Sequence, residues 1–178
     1  MTNRTRRFEA ATLLHLDAAY NLARWLLRDE QSANDVVQEA YLRAFRFFDG
    51  LRSEDAKPWL LRIVRNECFN WMRQSAGSGE LVEFDEEMDF RTIHADDMAS
   101  NPESIVLRRQ EQVQVNACLA RLPAAFREVL ILRELEGMSY QDIARVAGIP
   151  VGTVMSRLSR ARTGLKELLV AYPGGLGT

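Results

Sequence analysis

Cysteine and histidine are scarce, with two of each in 178 residues. Cys68 and Cys118 fall at apolar positions of helical pattern without metal-ligand spacing, so buried thiols are expected, not a disulfide framework or a zinc site. His15 and His94 have no partners for a metal or catalytic constellation, and neither a metal nor a cofactor is expected. No glycine-rich phosphate loop and no nucleophile–base pair stand in the chain, which argues against an enzyme. No apolar run is long enough to cross a membrane, and the start MTNRTRRFEAATLLHLDAAY lacks the apolar core of a signal peptide. A soluble cytoplasmic protein without membrane insertion is expected. Alternating strand patterns are missing as well, so the expected fold class is all-α.

Charge of one sign is also lacking, the net value being only −2, but its distribution is uneven. Residues 1–76 carry 12 Lys+Arg against 10 Asp+Glu, residues 77–101 carry 1 against 8, and residues 102–178 carry 10 against 7. Two mildly basic helical domains, 1–76 and 102–172, are expected on either side of a flexible acidic linker, 77–101, with a tail at 173–178. The linker is either a solvated tether or a carboxylate-rich mimic of nucleic acid in a partner's basic groove.

What is present is most pronounced from Ser139 to Lys166. Ser139 N-caps a helix, with Asp142 three residues on as in a capping box, and Tyr140, Ile143, Ala144 and Ala147 form its apolar side. Gly148 supplies a left-handed turn, and Pro150 stands where a second helix begins. At helical spacing Val151, Val154, Leu158, Ala161, Leu165 and Leu168 share one stripe that must face a core. Opposite are Gly152, Ser156, Ser159, Arg160 and Thr163, flanked by Thr153 and Arg157 on one edge and Met155, Arg162 and Lys166 on the other. Short side chains, one long donor and marginal cations suit a helix lying in the DNA major groove. A lone basic amphipathic helix would be an ordinary solvated face; the preceding capped helix and turn make this one half of a helix-turn-helix.

The two short helices need others to bury their apolar faces. Asn101 and Pro102 open a helix running to about Arg121 with Ile105, Val106, Val113, Val115, Ala117, Leu119 and Leu122. A further stripe comes from Phe126, Val129, Leu130, Leu132 and Leu135, closed by Gly137. The final YPGGLGT is expected to fray.

Before the linker, a helix from about Ala11 to Leu27 places Leu14, Ala18, Leu22, Trp25 and Leu26 toward a core. Ser32 or Asn34 caps a second helix, to Phe48, that buries Val36, Val37, Ala40, Tyr41, Ala44 and Phe48. Its other side holds Asp35, Gln38, Glu39, Leu42 and Arg46, either a docking patch around an apolar anchor or simply a surface leucine. Pro58 starts a third helix, to about Gln74, with Leu60, Leu61, Val64, Cys68, Trp71 and Met72 inward. Its opposite face carries Trp59, Arg62, Arg65, Asn66, Phe69, Asn70 and Arg73. Arginines, amides and aromatics interleaved in this way suit unpaired nucleic acid, although Trp59 and Phe69 also fit as rings half-buried against neighbours.

The stretch LPAAFREVLILRELEGMSYQDIARVAGIPVGTVMSRLSRARTGLKELL resembles region 4 of bacterial sigma factors, and NDVVQEAYLRAFRFFDGLRSEDAKPWLLRIVRNECFNWMR resembles region 2. With these two regions and a short linker, the chain is similar to the extracytoplasmic-function (ECF) group. The resemblance implies a promoter-directing subunit of RNA polymerase. Its core-polymerase contacts on the β′ clamp helices would come from Asp35, Gln38, Glu39, Leu42 and Arg46, with a further contact to the β flap. The melted −10 element would be held by Leu51, Arg52, Arg62, Arg65, Asn66 and Asn70, and an extruded base would sit near the loop that contains Leu51. The −35 duplex would be read by Met155, Ser156, Ser159 and Arg160, with Thr153, Arg157 and Arg162 at phosphates. Met155 stands where many relatives are basic, which favours apolar contact such as a thymine methyl. Promoter DNA, core polymerase and an anti-sigma factor or other inhibitor are the partners implied. The alternatives are a helix-turn-helix regulator acting without polymerase and a helical protein-interaction module.

Overall fold

The computed structural model describes residues 1–76 and 107–173, and every element in them is helical. The acidic stretch with His94, the Asn101–Pro102 start, Ile105, Val106 and residues 174–178 lie outside the described residues.

The chain begins with a helix that its sequence pattern did not suggest. Thr2 accepts a hydrogen bond from the Thr5 amide and caps α1, Asn3–Thr12. The continuous helix expected from Ala11 to Leu27 is broken, because Leu13–His15 form a 3₁₀ turn before α2, Leu16–Leu27. At the break the buried Thr12 hydroxyl donates to the Phe8 carbonyl (2.8 Å), and the Tyr41 hydroxyl donates to the Thr12 carbonyl (3.0 Å). A carbonyl released from the helix ladder is thereby satisfied from another helix. The turn carries Leu14 outward, 70% exposed, and removes it from the core assigned to it; Ala18, Leu22 and Leu26 are buried as expected.

Arg28 closes α2 in the left-handed conformation (φ 60°). Asp29, not Ser32 or Asn34, caps α3, Glu30–Phe47, because its carboxylate already accepts the Ser32 amide (2.8 Å). That cap starts the helix three residues early. Val36, Val37, Ala40, Ala44 and Phe48 are buried. Asp55 caps α4, Ala56–Ser75, so Pro58 lies within the first turn instead of opening it. Leu60, Leu61, Val64 and Cys68 are buried along α4; Trp71 and Met72 are half-buried. α1 is pinned across the end of α3. The Phe8 ring meets Tyr41, Phe45 and Phe48 edge-on, and Arg4 donates to Asp49 (2.9 Å) and to the Phe45 carbonyl (2.6 Å).

In the second half, α5, Leu107–Arg121, buries Cys118 but leaves Val113 in solvent, against expectation. After α6, Ala124–Leu130, residues Ile131–Leu135 form a π-helical turn. One extra residue in a turn rotates the residues after it by about 100°. Leu135 therefore swings outward to 58% exposure and leaves the stripe that holds Phe126, Val129, Leu130 and Leu132. Gly137 (φ 61°) ends the turn, and the Met138 amide reaches back to the Leu132 carbonyl (3.1 Å), a Schellman-type closure that glycine makes inexpensive. α7, Tyr140–Ala147, and α8, Val151–Val170, complete the unit. Tyr172, expected to fray with the tail, is half-buried and packs against the core.

The two halves share one apolar core. Ala19, Leu22, Leu26, Leu61, Val64 and Cys68 from the first belong to the same buried cluster as Phe126, Val129, Leu132 and Ile143 from the second. α2 and α4 pack on α6 and α7.

Candidate nucleic-acid interface

The helix-turn-helix has the geometry its sequence suggests. Ser139 accepts from the Asp142 amide (3.1 Å), Gly148 is left-handed (φ 68°), and the Gly148 amide donates to the Ala144 carbonyl (2.9 Å). The Asp142 carboxylate, expected to reach back and complete a capping box, instead lies 3.4 Å from Arg145, so only the Ser139 half of the box is made. Pro150 is the N-cap residue of α8. Val154, Leu158, Ala161 and Leu168 bury one stripe of α8; Val151 is the exception, exposed at the first turn.

The outward face of α8 presents Gly152, Met155, Ser156, Ser159, Arg162 and Thr163 to solvent, with Thr153, Arg157 and Arg160 half-buried at its margins. Ser156 donates its hydroxyl proton to the Thr153 carbonyl (3.1 Å), and Thr163 donates to that of Ser159 (3.1 Å), which keeps the middle of the helix slender. The Arg160 guanidinium lies 5.9 Å from the Phe126 ring centroid, a cation–π contact that steadies its stem. Arg162 donates from Nε (3.2 Å) and Nη2 (2.7 Å) to one oxygen of Glu134.

On the first half, α3 leaves Asp35, Gln38, Glu39, Leu42 and Arg46 all exposed, with Leu42 at 57%. An apolar side chain ringed by polar ones and open to solvent fits a docking surface. Along α4, Arg62 and Asn66 are exposed, while Asn70 is half-buried and takes a hydrogen bond from Arg73. Trp59 and Phe69 are half-buried, which favours packing over stacking for these two rings. Leu51 and Arg52 occupy the loop between the Phe48–Gly50 turn and α4, Leu51 half-buried and Arg52 exposed.

Arg65 is placed differently from its neighbours. Its Nε and Nη2 donate to the two carboxylate oxygens of Glu128 on α6 (2.9 and 3.2 Å), and its guanidinium stacks 3.9 Å from the Phe69 ring centroid. The Glu128 side chain is fully buried. Burial raises its pKa above the ordinary carboxylate range; the Arg65 hydrogen bonds and the fields of Arg65 and of Arg157 on α8 oppose that rise. Nearby, Arg127 crosses between the halves. It donates to the carbonyls of Ala120 (2.9 Å), Leu122 (2.8 Å) and Leu26 (3.1 Å), and burial lowers its pKa to about 10. Lys57 and Glu136 make a third bridge at 3.2 Å. The sequence assigned no role to Glu128, Arg127, Lys57 or Glu136. The one signal was an Arg-Glu pair inside the otherwise apolar run of α6, where charges need buried partners.

A polar, slender helix-turn-helix face at one end, and an arginine–asparagine helix beside an exposed polar face around Leu42 at the other, fit a helical DNA-binding protein of transcription. Similarity to known proteins specifies it further. The Sigma-70 region 2 family matches residues 13–77, and the Sigma-70, region 4 family matches residues 112–165. The RNA polymerase sigma-H factor of Pseudomonas aeruginosa is 36% identical over 169 residues, covering 92% of this chain and 86% of that protein. The ECF RNA polymerase sigma-E factor of Escherichia coli is 37% identical over 134 residues, covering 72% and 69%. Among solved structures, the sigma factor RpoE of Bartonella quintana, in complex with the anti-sigma factor NepR, superposes with a TM-score of 0.68. It is 29% identical, covering 94% of this chain and 99% of that one. The chain belongs to the ECF sigma factors, which bind core RNA polymerase and direct it to promoters. No helix among the described residues is long and apolar enough to cross a membrane.

Proposed function

We propose that residues 1–76 dock on core polymerase and hold the melted −10 strand, and that residues 102–172 read the −35 duplex. Asp35, Gln38, Glu39, Leu42 and Arg46 meet the β′ clamp helices, and the second half also contacts the β flap. Arg52, Arg62, Arg65, Asn66 and Asn70 engage the unpaired strand, with Leu51 beside the extruded base. Met155, Ser156, Ser159 and Arg160 face the −35 base edges, and Thr153, Arg157 and Arg162 face phosphates. The observation that carries this reading is the joint exposure, in one chain, of the slender α8 face and of Arg62 and Asn66 on α4. A regulator working without polymerase would use the first and leave the second without a role.

The protein acts in the cytoplasm and is not itself an enzyme. Capture of unstacked bases offsets the cost of opening the duplex, at about 1–3 kcal/mol per stacked base, so melting needs no nucleotide hydrolysis. An inhibitory partner of the anti-sigma kind is expected, since solved relatives are bound to NepR and to CnrY. The test is run-off transcription from a promoter library with purified core polymerase. Specific initiation that depends on this protein is expected, and its complete absence would remove the reading.

A further inference from the structure

The strand-binding face of α4 lacks a free ring. Arg62 and Asn66 are exposed on it, but Trp59 and Phe69 are half-buried, and the Arg65 guanidinium already lies 3.9 Å from the Phe69 ring centroid. Leu51, beside the proposed extruded base, is aliphatic and offers no π-face. A base taken out of the duplex loses its stacked neighbours, and an aromatic side chain is what replaces them. Among the described residues one Phe, Tyr or Trp ring stands exposed: Phe47, at 64%. A lone exposed apolar residue is common and by itself means little. The position of this one distinguishes it. Phe47 is the last residue of α3 and follows Arg46 by one, which turns it about 100° away from the stripe of Asp35, Gln38, Glu39, Leu42 and Arg46. It shares instead the flank of Arg43, one turn earlier, and Arg43 bridges to Glu67 on α4 (2.9 Å). Further along, the Phe48 ring meets that of Trp59, with centroids 6.4 Å apart. These two contacts make α3 and α4 antiparallel neighbours, so one turn beyond Arg43 on α3 corresponds to one turn before Glu67 on α4. Phe47 is thereby level with Ile63, next to the exposed Arg62. The chain then turns at once, because the Leu51 amide donates to the Phe48 carbonyl (3.0 Å), and this keeps Leu51 and Arg52 close to the ring. Neither Arg52 nor Arg62 has an ion-pair partner among the described residues.

We infer that Phe47 is the stacking platform for the unpaired −10 base beside Leu51, with Arg52 and Arg62 at the phosphates that flank it. The ring supplies the π-face that Trp59 and Phe69 withhold. α3 then serves two partners on two flanks, polymerase through the Leu42 stripe and the melted strand through Phe47. Stacking is tolerant of sequence, since every base has a π-face, so Phe47 holds the base in place and leaves its identity to be read by other groups.

The platform rests on the proposed capture of the melted strand by residues 1–76, and its test separates the two. Fluorescence anisotropy is measured with a labelled random-sequence single-stranded oligonucleotide, on the full chain and on its complex with core polymerase, beside an abasic strand of the same length. Phe47→Leu removes the ring and keeps an apolar side chain; Phe47→Trp keeps a ring. Expected is a Kd raised about 5- to 150-fold in Phe47→Leu and near wild type in Phe47→Trp, with no effect of either on the abasic strand. The slope of log Kd against log salt should stay at its wild-type value in Phe47→Leu and fall by about 0.7 in Arg62→Ala, since only the second removes a phosphate contact. Thermal melts of the Phe47 variants should match wild type, because the side chain is exposed. An unchanged Kd in Phe47→Leu overturns the platform and leaves strand capture by α4 standing. A defect that persists equally on the abasic strand also overturns it, since the ring would then act without a base. Weaker assembly with core polymerase at unchanged oligonucleotide affinity would assign Phe47 to the docking surface instead and overturn it as well. If wild type binds the oligonucleotide in neither form, strand capture itself fails, and the platform with it.

Discussion

Arg162 on α8 and Glu134 in the π-helical turn form a two-donor ion pair on a single carboxylate oxygen, at 2.7 and 3.2 Å, and both side chains are about half exposed. The pair raises the Arg162 pKa through its hydrogen bond, but its contribution to stability is small at this exposure. Its consequence falls on DNA binding. Glu134 holds one of the proposed phosphate donors and places a negative charge beside the proposed duplex-reading face. Glu134→Gln should therefore tighten binding of the full chain to −35 duplex DNA and steepen the salt dependence by about one released counterion. Titrations at several salt concentrations check this, and an unchanged slope would remove Arg162 from the phosphate contacts.

Arg160 is the long donor on the α8 face, with its guanidinium near the Phe126 ring. Arg160→Ala should cost about 1–3 kcal/mol at one −35 base pair and relax preference there, if its contact is bidentate. Competition with base-by-base substituted duplexes measures it. Met155, 54% exposed, should contribute a preference for thymine at its own position.

Asp35→Ala combined with Leu42→Ala should weaken binding to core polymerase while leaving the fold alone. Both positions are exposed on α3, and substitutions at such sites stay within about 0.5 kcal/mol of wild-type stability. Holoenzyme formation followed by native gel or light scattering, beside a thermal melt, separates the two effects. Normal assembly would rule out this face as the docking surface.

The cap of α3 gives a pH signature. Hydrogen bonds from the Ser32 hydroxyl and amide hold Asp29 below its ordinary pKa. A carboxylate with a depressed folded-state pKa contributes stability that is present above its unfolded value and is lost as pH falls through the folded value. Asp29→Asn, which still caps but does not titrate, should show a shallower loss of melting temperature on acidification than wild type. Parallel slopes would show that Asp29 is not the titrating group.

Burial pushes the Cys68 thiol up to about 12 and raises that of Cys118. Both should resist alkylation in the native protein at mildly alkaline pH and react fully after denaturation, because only the thiolate attacks. Rapid native labelling, located by mass spectrometry, would show that one of the two helices opens readily.

Much of this molecule is written in local sequence, and the successes share a cause. Ser139, Gly148 and the α8 stripe depend on interactions within a few residues, so capping and periodicity alone place the helix-turn-helix and its outward face. The departures also share one. Leu14, Leu135 and Val151 sit at apolar spacing yet face solvent, because a 3₁₀ break, a π-helical turn or a helix end changed which way the next residue points; Val113 is exposed within a regular helix and has no such cause. Such breaks are set by partners far along the chain, as when Tyr41 satisfies the Thr12 carbonyl.

The sequence by itself determined the helical class, the order of the two halves and the composition of each reading face, since these depend on periodicity, caps and residue type. Only the tertiary structure decided that the halves share a core and that Arg65, placed by its periodicity on an open face of α4, is bound to Glu128, 63 residues away. The physical reason is that a buried charge must find its counter-charge wherever packing brings one, and no local pattern encodes that distance.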